Sequence, residues 1–304
     1  MAVFRLVRRP FLSWAVVASL AACTDVPRSG ATITRIDDWG RTVSLRAPAR
    51  RIVSLSPATT ELLFALGLGE RVVGRTRWCD YPAAARAVAD VAEGVGPNVE
   101  AVAARRPDLV LLYASSANRA AAERFAVLGI ATAALQLDRA ADVRRAAVLI
   151  GGLAGAVRAA DSLVAAFDAA RASAERAAPR LARRPRLYVD VWTDPPMTVG
   201  RGSYLSEVIR AAGGANVFGD VGASSATVSL ETIVRRDPDA ILILAADTTR
   251  VPDLAARPGW SAVRAVRERR VLVLDGALYG RPSPRMPVAA RDLSARLARL
   301  AVAP

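Results

Sequence analysis

Short apolar runs and helical stretches alternate along most of the chain. Residues 32–36 and 42–45 alternate between polar and apolar positions on either side of the turn Asp37-Asp38-Trp39-Gly40, which predicts a β-hairpin. From residue 52 onward, unbroken apolar runs typical of buried parallel strands are separated by helical segments. The predicted strands cover residues 52–55, 109–113, 131–135, 187–191, 240–244 and 271–274, with one more that starts at residue 72. The alternation predicts an α/β fold with parallel sheets.

The helices between these strands are recognised by their start and stop signals, such as Ser56-Pro57 before the first and Gly129 after the third. They cover residues 59–66, 99–104, 118–128, 204–212, 230–235, 258–266 and 287–300. A longer alanine-rich stretch, residues 142–179, is interrupted by three glycines. Its later part, residues 157–178, would span ~33 Å, about the width of a small domain. That length suits a rod between two lobes, although one more surface helix would have the same pattern.

A weak internal repeat supports two similar lobes. Arg106-Pro107-Asp108 ends one helix before a buried strand, and Arg236-Asp237-Pro238-Asp239 does the same in the second half. We therefore predict two parallel-sheet α/β lobes joined by a single long linker helix. The predicted segments are a signal peptide at 1–22, a tether and hairpin at 23–48, an N-terminal lobe at 49–140, a helical linker at 141–180 and a C-terminal lobe at 181–304.

Residues 1–22 have the pattern of a secretory signal. Three arginines between residues 5 and 9 precede the apolar run Phe11–Leu20, which is shorter than the ~20 apolar residues that span a bilayer. The segment Leu20-Ala21-Ala22-Cys23 resembles a bacterial lipobox, which implies cleavage before Cys23 and lipidation of its thiol. An ordinary cleavage site is the alternative. We therefore expect a periplasmic or cell-surface protein that is anchored to the membrane through Cys23.

Composition narrows the chemistry. The formal net charge is +14, but all 42 basic residues are arginines, scattered through helical stretches without a cluster beside aromatic residues, so we expect no nucleic-acid partner. The chain contains no histidine, which excludes histidine-built zinc sites, Ser-His-Asp triads and histidine-ligated haem within it. If Cys23 carries lipid, the other cysteine, Cys79, has no partner for an intramolecular disulfide.

Several short motifs occur in order from Arg51 to the C-terminus. They are Arg51-Ile52-Val53-Ser54-Leu55-Ser56-Pro57-Ala58-Thr59-Thr60-Glu61-Leu62-Leu63, Cys79-Asp80-Tyr81-Pro82, Asn98-Val99-Glu100, Pro107-Asp108-Leu109-Val110, Gly213-Gly214-Ala215-Asn216-Val217-Phe218 and Arg281-Pro282-Ser283-Pro284-Arg285. This ordered set resembles the iron-siderophore and cobalamin solute-binding family of ABC importers. The resemblance implies a ligand cleft between two lobes, no enzymatic reaction, and delivery of the ligand to a membrane permease driven by an ATPase.

The first two motifs resemble the cobalamin-binding branch of that family most closely. The resemblance therefore implies a corrinoid as the transported ligand, with a ferric siderophore or haem as the alternative, and no intrinsic cofactor. It also implies two docking carboxylates for the permease, Glu61 in the N-terminal lobe and Glu231 in the C-terminal lobe. Each begins a helix, so favourable electrostatics at the helix N-terminus is the competing explanation.

The candidate ligand-binding residues lie at predicted strand ends. Trp78 and Tyr81 occupy a loop after one strand and Tyr113 ends another, where α/β sheets place their ligands. Trp192 follows a strand of the second lobe, although a core position is as typical of tryptophan. The stiff turn Arg281-Pro282-Ser283-Pro284-Arg285 carries two guanidinium groups suited to polar groups of a ligand, with a solvated surface role as the alternative.

Two further hypotheses concern metal binding and catalysis. Cys79 could ligate cobalt or iron as a thiolate, but a lone cysteine is more often a small buried hydrophobic residue. An extracytoplasmic enzyme on a related scaffold is the second functional class. It would need acid–base groups, and the sequence has no G-x-S-x-G elbow and only the weak carboxylate pair Asp190 and Asp194.

Overall fold

The computed structural model describes residues 1–2, 32–92, 96–179 and 183–302. The predicted signal peptide and the lipidation site Cys23 lie outside the described residues, so both stay predictions. Among the described residues, no helix combines the length and the apolar character needed to cross a membrane.

The predicted hairpin is confirmed. Strands β1 (Ile33–Ile36) and β2 (Thr42–Leu45) pair antiparallel. Asp37 closes the turn, because its buried carboxylate accepts hydrogen bonds from the backbone N–H groups of Trp39 and Arg41. The same carboxylate accepts the backbone N–H of Ala134, which ties the hairpin to the first sheet.

The first sheet consists of five parallel strands in the order β5-β4-β3-β6-β7. The strands are β3 (Ile52–Ser54), β4 (Val72–Thr76), β5 (Asp90–Ala92), β6 (Leu109–Tyr113) and β7 (Ala131–Leu135), and the helices between them are α1 (Pro57–Ala65), α2 (Val99–Ala104) and α3 (Arg119–Val127). The first four residues of β6 are fully buried, as expected of a central strand covered on both faces.

Two helices follow the first sheet, α4 (Ala140–Ala154) and α5 (Val157–Ala177). Gly155 ends α4 at φ +67°, a left-handed conformation that glycine adopts without steric cost. With 21 residues, α5 is ~31 Å long, close to the predicted rod.

The second sheet contains four parallel strands in the order β11-β8-β13-β14, and a separate three-stranded antiparallel sheet has the order β12-β10-β9. The strands are β8 (Arg186–Asp190), β9 (Trp192–Thr193), β10 (Pro196–Val199), β11 (Ala215–Asn216), β12 (Ser225–Thr227), β13 (Ala240–Ala245) and β14 (Val271–Asp275). The helices are α6 (Tyr204–Ala211), α7 (Leu230–Arg236), α8 (Arg264–Arg267), α9 (Gly276–Tyr279) and α10 (Met286–Val302).

One predicted helix is wrong. Residues 258–266 form a 3₁₀ turn, Trp260–Ala262, followed by the short α8. Gly259 has a φ of +77° and Val263 is extended, so neither residue continues an α-helix.

The internal repeat is present in three dimensions. Asp108 accepts hydrogen bonds from the backbone N–H groups of Arg50 and Arg51, before β3. Asp239 accepts the backbone N–H of Arg186, at the start of β8. The guanidinium groups of Arg51 and Arg186 donate to carbonyl oxygens at the C-terminus of a helix in the same lobe, α2 and α7 respectively. The two sheets are therefore built on the same local plan.

Candidate ligand cleft

The predicted ligand residues gather where the strands of both sheets reach their carboxyl ends. Trp78 and Tyr81 follow β4, Tyr113 is the last residue of β6, Trp192 follows β8 after one residue, and Arg281 lies beyond β14. Parallel α/β sheets bind ligands outside the carboxyl ends of their strands, so the positions agree with a ligand cleft.

Three of the aromatic side chains are exposed to an unusual degree. Trp78 is 66% exposed, Trp192 is 62% exposed and Tyr81 is 42% exposed. The alternative of a core position for Trp192 is therefore wrong; its indole N–H donates to the carbonyl oxygen of Asp194 at 2.8 Å. Trp78 borders a cavity of about 500 Å³ at the carboxyl ends of the first sheet, lined by Leu55, Pro57, Thr76, Arg77, Trp78, Ala92, Gly96, Pro97 and Asn118.

Tyr113, at the carboxyl end of β6, forms a hydrogen bond with an aspartate that follows β7. Its hydroxyl donates to the carboxylate of Asp138 at 2.8 Å. Burial, followed by this hydrogen bond and the negative charge of Asp138, raises the pKa of Tyr113 to about 12. Asp138 also borders a polar recess of about 530 Å³ whose walls come from both lobes: Asp38, Gln136, Asp138, Arg139, Asp142 and Arg145 on one side, Gly202, Gly222 and Ser224 on the other.

Charged residues of the two lobes meet beside Tyr81. Arg285, after α9, donates through Nε to Glu61 Oε2 at 2.8 Å and through Nη2 to Glu61 Oε1 at 2.5 Å. Arg281 donates to Asp80 Oδ1 at 2.9 Å. Burial by itself lowers the pKa of Arg285, but the Glu61 hydrogen bonds and charge raise it above its ordinary value. Arg281 Nη1 also lies 3.6 Å from Glu61 Oε1, so the four residues form three ion pairs that connect the lobes.

The predicted surface position of Glu61 is wrong. Glu61 is only 4% exposed, and both of its oxygens accept hydrogen bonds from Arg285. Because the carboxylate is buried and already neutralised, it cannot meet arginines of a separate permease. Arg281 and Arg285 lie in the cleft region as predicted, yet in this structure they contact protein carboxylates; their contact with ligand stays a prediction.

The comparison with known proteins assigns this architecture. A family model described as periplasmic binding protein matches residues 52–278, which include both parallel sheets. The chain belongs to the periplasmic binding protein family. The predicted family and its two-lobed α/β fold are therefore confirmed.

This periplasmic binding protein has relatives with different ligands. It is 29% identical over 268 residues to the ABC transporter substrate-binding lipoprotein YvrC of Bacillus subtilis, covering 86% of this chain and 84% of YvrC. It is 29% identical over 256 residues to the vitamin B12-binding protein of Yersinia pestis, covering 83% and 88%. The solved structure of the apo haem-binding protein RhuT of Roseiflexus sp. RS-1 matches with a TM-score of 0.71 at 25% identity, covering 83% and 99%.

Cys79 is enclosed within the first lobe of this periplasmic binding protein. Its side chain is fully buried, and its sulfur lies 3.2 Å from Thr76 Oγ1. In the part of the chain that the structure describes, no three His, Cys, Asp or Glu side chains are grouped to hold a metal ion. Cys79 therefore has the environment of a small buried hydrophobic residue rather than that of a metal ligand.

Glu231 is exposed, as docking requires, and a second glutamate is exposed at the equivalent position of the other lobe. Glu231 lies in the first turn of α7, where the hydroxyl of Ser229 and its own backbone N–H lower the pKa of its carboxyl group. Glu100 lies in the first turn of α2 and is also exposed. Each glutamate precedes a proline, Pro107 or Pro238, by seven residues. The internal repeat therefore pairs Glu100, not Glu61, with Glu231. The equal spacing of each glutamate from its proline is the sequence feature that could have identified Glu100.

Proposed function

We propose that this protein is the solute-binding component of an ABC importer and that its ligand is a corrinoid such as cobalamin. The observation that carries the proposal is the set of exposed aromatic side chains, Trp78, Tyr81 and Trp192, at the carboxyl ends of the strands. Flat aromatic faces bind a large conjugated ring with little loss of side-chain entropy. The similarity to a vitamin B12-binding protein supports the same ligand.

Few side chains of the described cleft suit haem iron, which favours a corrinoid over haem. The cobalt of cobalamin carries its own ligands, whereas protein-bound haem iron takes an axial ligand from a side chain. The chain has no histidine, and Cys79 is buried. Burial and the hydrogen bond to Asp138 raise the pKa of Tyr113 to about 12, so the phenolate that ferric iron binds is harder to form there than on an ordinary tyrosine. Haem or a ferric siderophore is the second candidate, supported by the exposed phenol of Tyr81 and by the similarity to RhuT.

The docking surfaces for the permease are proposed to centre on Glu100 and Glu231. The two carboxylates occupy equivalent positions in the two lobes, each in the first turn of a helix that leads into a sheet strand. Complementary arginines on a permease would steer and orient the complex, since exposed charges act more on association rate and register than on affinity. A carboxylate on each lobe fixes the orientation of the cleft over the permease entrance.

The cellular location is proposed to be extracytoplasmic, with the chain tethered by lipid at Cys23. The resemblance of Leu20-Ala21-Ala22-Cys23 to a lipobox supports this, as does the similarity to the lipoprotein YvrC. Mass spectrometry of the protein from a bacterial membrane fraction would detect a diacylglyceryl group on an N-terminal Cys23. Recovery of an unlipidated mature chain with a different first residue would contradict the anchor.

Calorimetric titration tests the ligand. Cyanocobalamin is expected to bind one to one and to be recovered unchanged, while haemin and a ferric siderophore bind more weakly. Alanine substitution of Trp78, Tyr81 or Trp192 is expected to weaken binding about tenfold each. Val127→Ala is the control, because Val127 is 88% exposed but lies at the amino end of β7, away from the cleft.

The outcomes separate the candidate functions. Tight binding of haemin or of the siderophore alone would move the ligand to the second candidate and leave the transport role in place. Chemical conversion of the bound ligand would favour the enzyme hypothesis.

A further inference from the structure

The ion pair between Glu61 and Arg285 sits directly against a predicted ligand residue. The guanidinium carbon of Arg285 lies 3.6 Å from the centroid of the Tyr81 ring. Arg285 belongs to the C-terminal lobe, whereas Glu61 and Tyr81 belong to the N-terminal lobe. The ring of Tyr81 is therefore covered on one face by a cation that comes from the opposite lobe.

The guanidinium of Arg285 has little freedom to move. Its Nε and Nη2 donate to the two oxygens of Glu61, and Nη2 also donates to the carbonyl oxygen of Ala277 at 2.6 Å. A two-point pair between a guanidinium and a carboxylate fixes the plane of the guanidinium. Glu61, which is buried in α1, thus determines where the cation lies over Tyr81.

We propose that Glu61 and Arg285 are positioning residues that hold the ring of Tyr81 for ligand stacking. Arg285 covers one face of the phenol and leaves the opposite face for the ligand; this rests on the proposed function of the cleft. The partial exposure of Tyr81, 42%, agrees with a ring covered on one side. The ligand, the phenol and the guanidinium then form a stack of three layers.

The guanidinium of Arg285 also influences which kind of ligand stacks favourably on the Tyr81 ring. The face of an aromatic ring is electron-rich, and a cation on one face draws electron density toward itself. The opposite face becomes less repulsive toward another electron-rich surface. Tyr81 is therefore suited to an electron-rich conjugated ring in preference to a cationic aromatic ligand.

A double-mutant cycle tests whether Glu61 acts through Tyr81. In the otherwise unchanged protein, Glu61→Gln is expected to weaken cyanocobalamin binding about tenfold, because the guanidinium loses its fixed plane. In the Tyr81→Ala background, the same change is expected to weaken binding by less than about twofold. Equal losses in both backgrounds would show a merely structural role and overturn the proposal, and so would no loss in either. Glu123→Gln is the matched control, because Glu123 is an exposed glutamate of α3 and the change is expected to leave affinity unchanged.

Arg285→Lys provides a second variant in case Glu61→Gln fails to fold. Lysine keeps the positive charge opposite Glu61 but loses the planar two-point contact. Arg285→Lys is combined with Tyr81→Ala in the same way. It is expected to weaken ligand binding only in the protein that retains the Tyr81 ring. Melting temperatures of all variants separate loss of the fold from loss of binding.

A measurement without ligand separates this proposal from the proposed function. In a ¹⁵N–¹H spectrum of arginine side chains, the Hε signal of Arg285, assigned by its disappearance in Arg285→Lys, is expected to be shifted upfield by the Tyr81 ring current. Tyr81→Phe should keep the shift, and both Tyr81→Ala and Glu61→Gln should remove most of it. An unshifted signal, or a shift that Glu61→Gln leaves intact, would overturn the positioning role whichever ligand binds.

If cyanocobalamin does not bind, the double-mutant cycle is measured with haemin or the ferric siderophore, whichever binds. If none of the three binds, the arginine spectrum alone decides.

Discussion

At the scale of single residues, two buried aspartates of the second sheet have opposite effects on the pH dependence of stability. Burial by itself raises the pKa of Asp239, but hydrogen bonds from Arg183, from the Arg186 backbone and from Arg264 lower it well below its usual range. A lowered pKa in the folded state stabilises the fold above pH ~4, and this contribution is lost as the pH falls below that value. Asp239→Asn is therefore expected to cost about 1–3 kcal/mol at pH 7. Denaturant unfolding at pH 7 and pH 3 should show the difference from wild type shrinking at the lower pH.

Asp190 behaves in the opposite sense. Burial raises its pKa, and this outweighs the lowering by the Thr193 hydrogen bond, the Arg257 charge and the Tyr188 hydrogen bond. The folded state then holds the proton more tightly than the unfolded state, so stability is lost as the pH rises above ~4. The free energy of unfolding of wild type relative to Asp190→Asn is expected to decline between pH 3 and pH 7. A difference that grows over this range would contradict the raised pKa.

The site residues differ in how far the sequence could predict them. The exposed aromatic residues follow from a general rule, because strand ends are recognisable and ligands bind beyond them. Glu61 does not, since an acid in the first helical turn looks the same whether it meets solvent or an arginine 224 residues away. Glu100 could have been predicted from the internal repeat, but only by comparing the distance from glutamate to proline along the sequence in both lobes.

At the scale of elements, the long helix α5 packs through one face. Ala160, Phe167 and Ala174 are its buried residues, seven positions apart, and the helix packs against α4, α6 and α10. Phe167→Ala is expected to lower the free energy of unfolding by about 3–4 kcal/mol, because it leaves a cavity in this contact. Val157→Ala on the same helix, at a half-exposed position, should cost less than about 0.5 kcal/mol. Equal costs in chemical denaturation would contradict the packing of α5.

Elements with strong periodicity or clear stop signals were predictable, and short ones were not. The strands Leu109–Tyr113 and Ala131–Leu135 and the helix Val99–Ala104 have the predicted bounds. The antiparallel sheet was missed because β9 and β12 have only two and three residues, too few to show alternation, and β10 begins at Pro196. These strands are held by tertiary pairing rather than by local pattern.

At the scale of the whole molecule, docking through Glu100 and Glu231 predicts that reversing their charges impairs interaction with the permease but not ligand binding. Glu100→Arg and Glu231→Arg are each expected to abolish most stimulation of the permease ATPase in proteoliposomes, while cyanocobalamin affinity stays within about twofold of wild type. Glu123→Arg is the control, because it makes the same charge change at an exposed site on α3. Stimulation that survives both reversals, or falls equally with the control, would contradict docking through the two helix starts.

The most direct test of the central claim is a crystal structure of the protein with cyanocobalamin, measured at the cobalt absorption edge. The anomalous signal is expected between the two sheets, beside Tyr81 and Trp192, with no protein side chain coordinating the cobalt. A cobalt site outside this region, or one ligated by a side chain such as Cys79, would contradict the account of an aromatic cleft that binds a corrinoid by stacking.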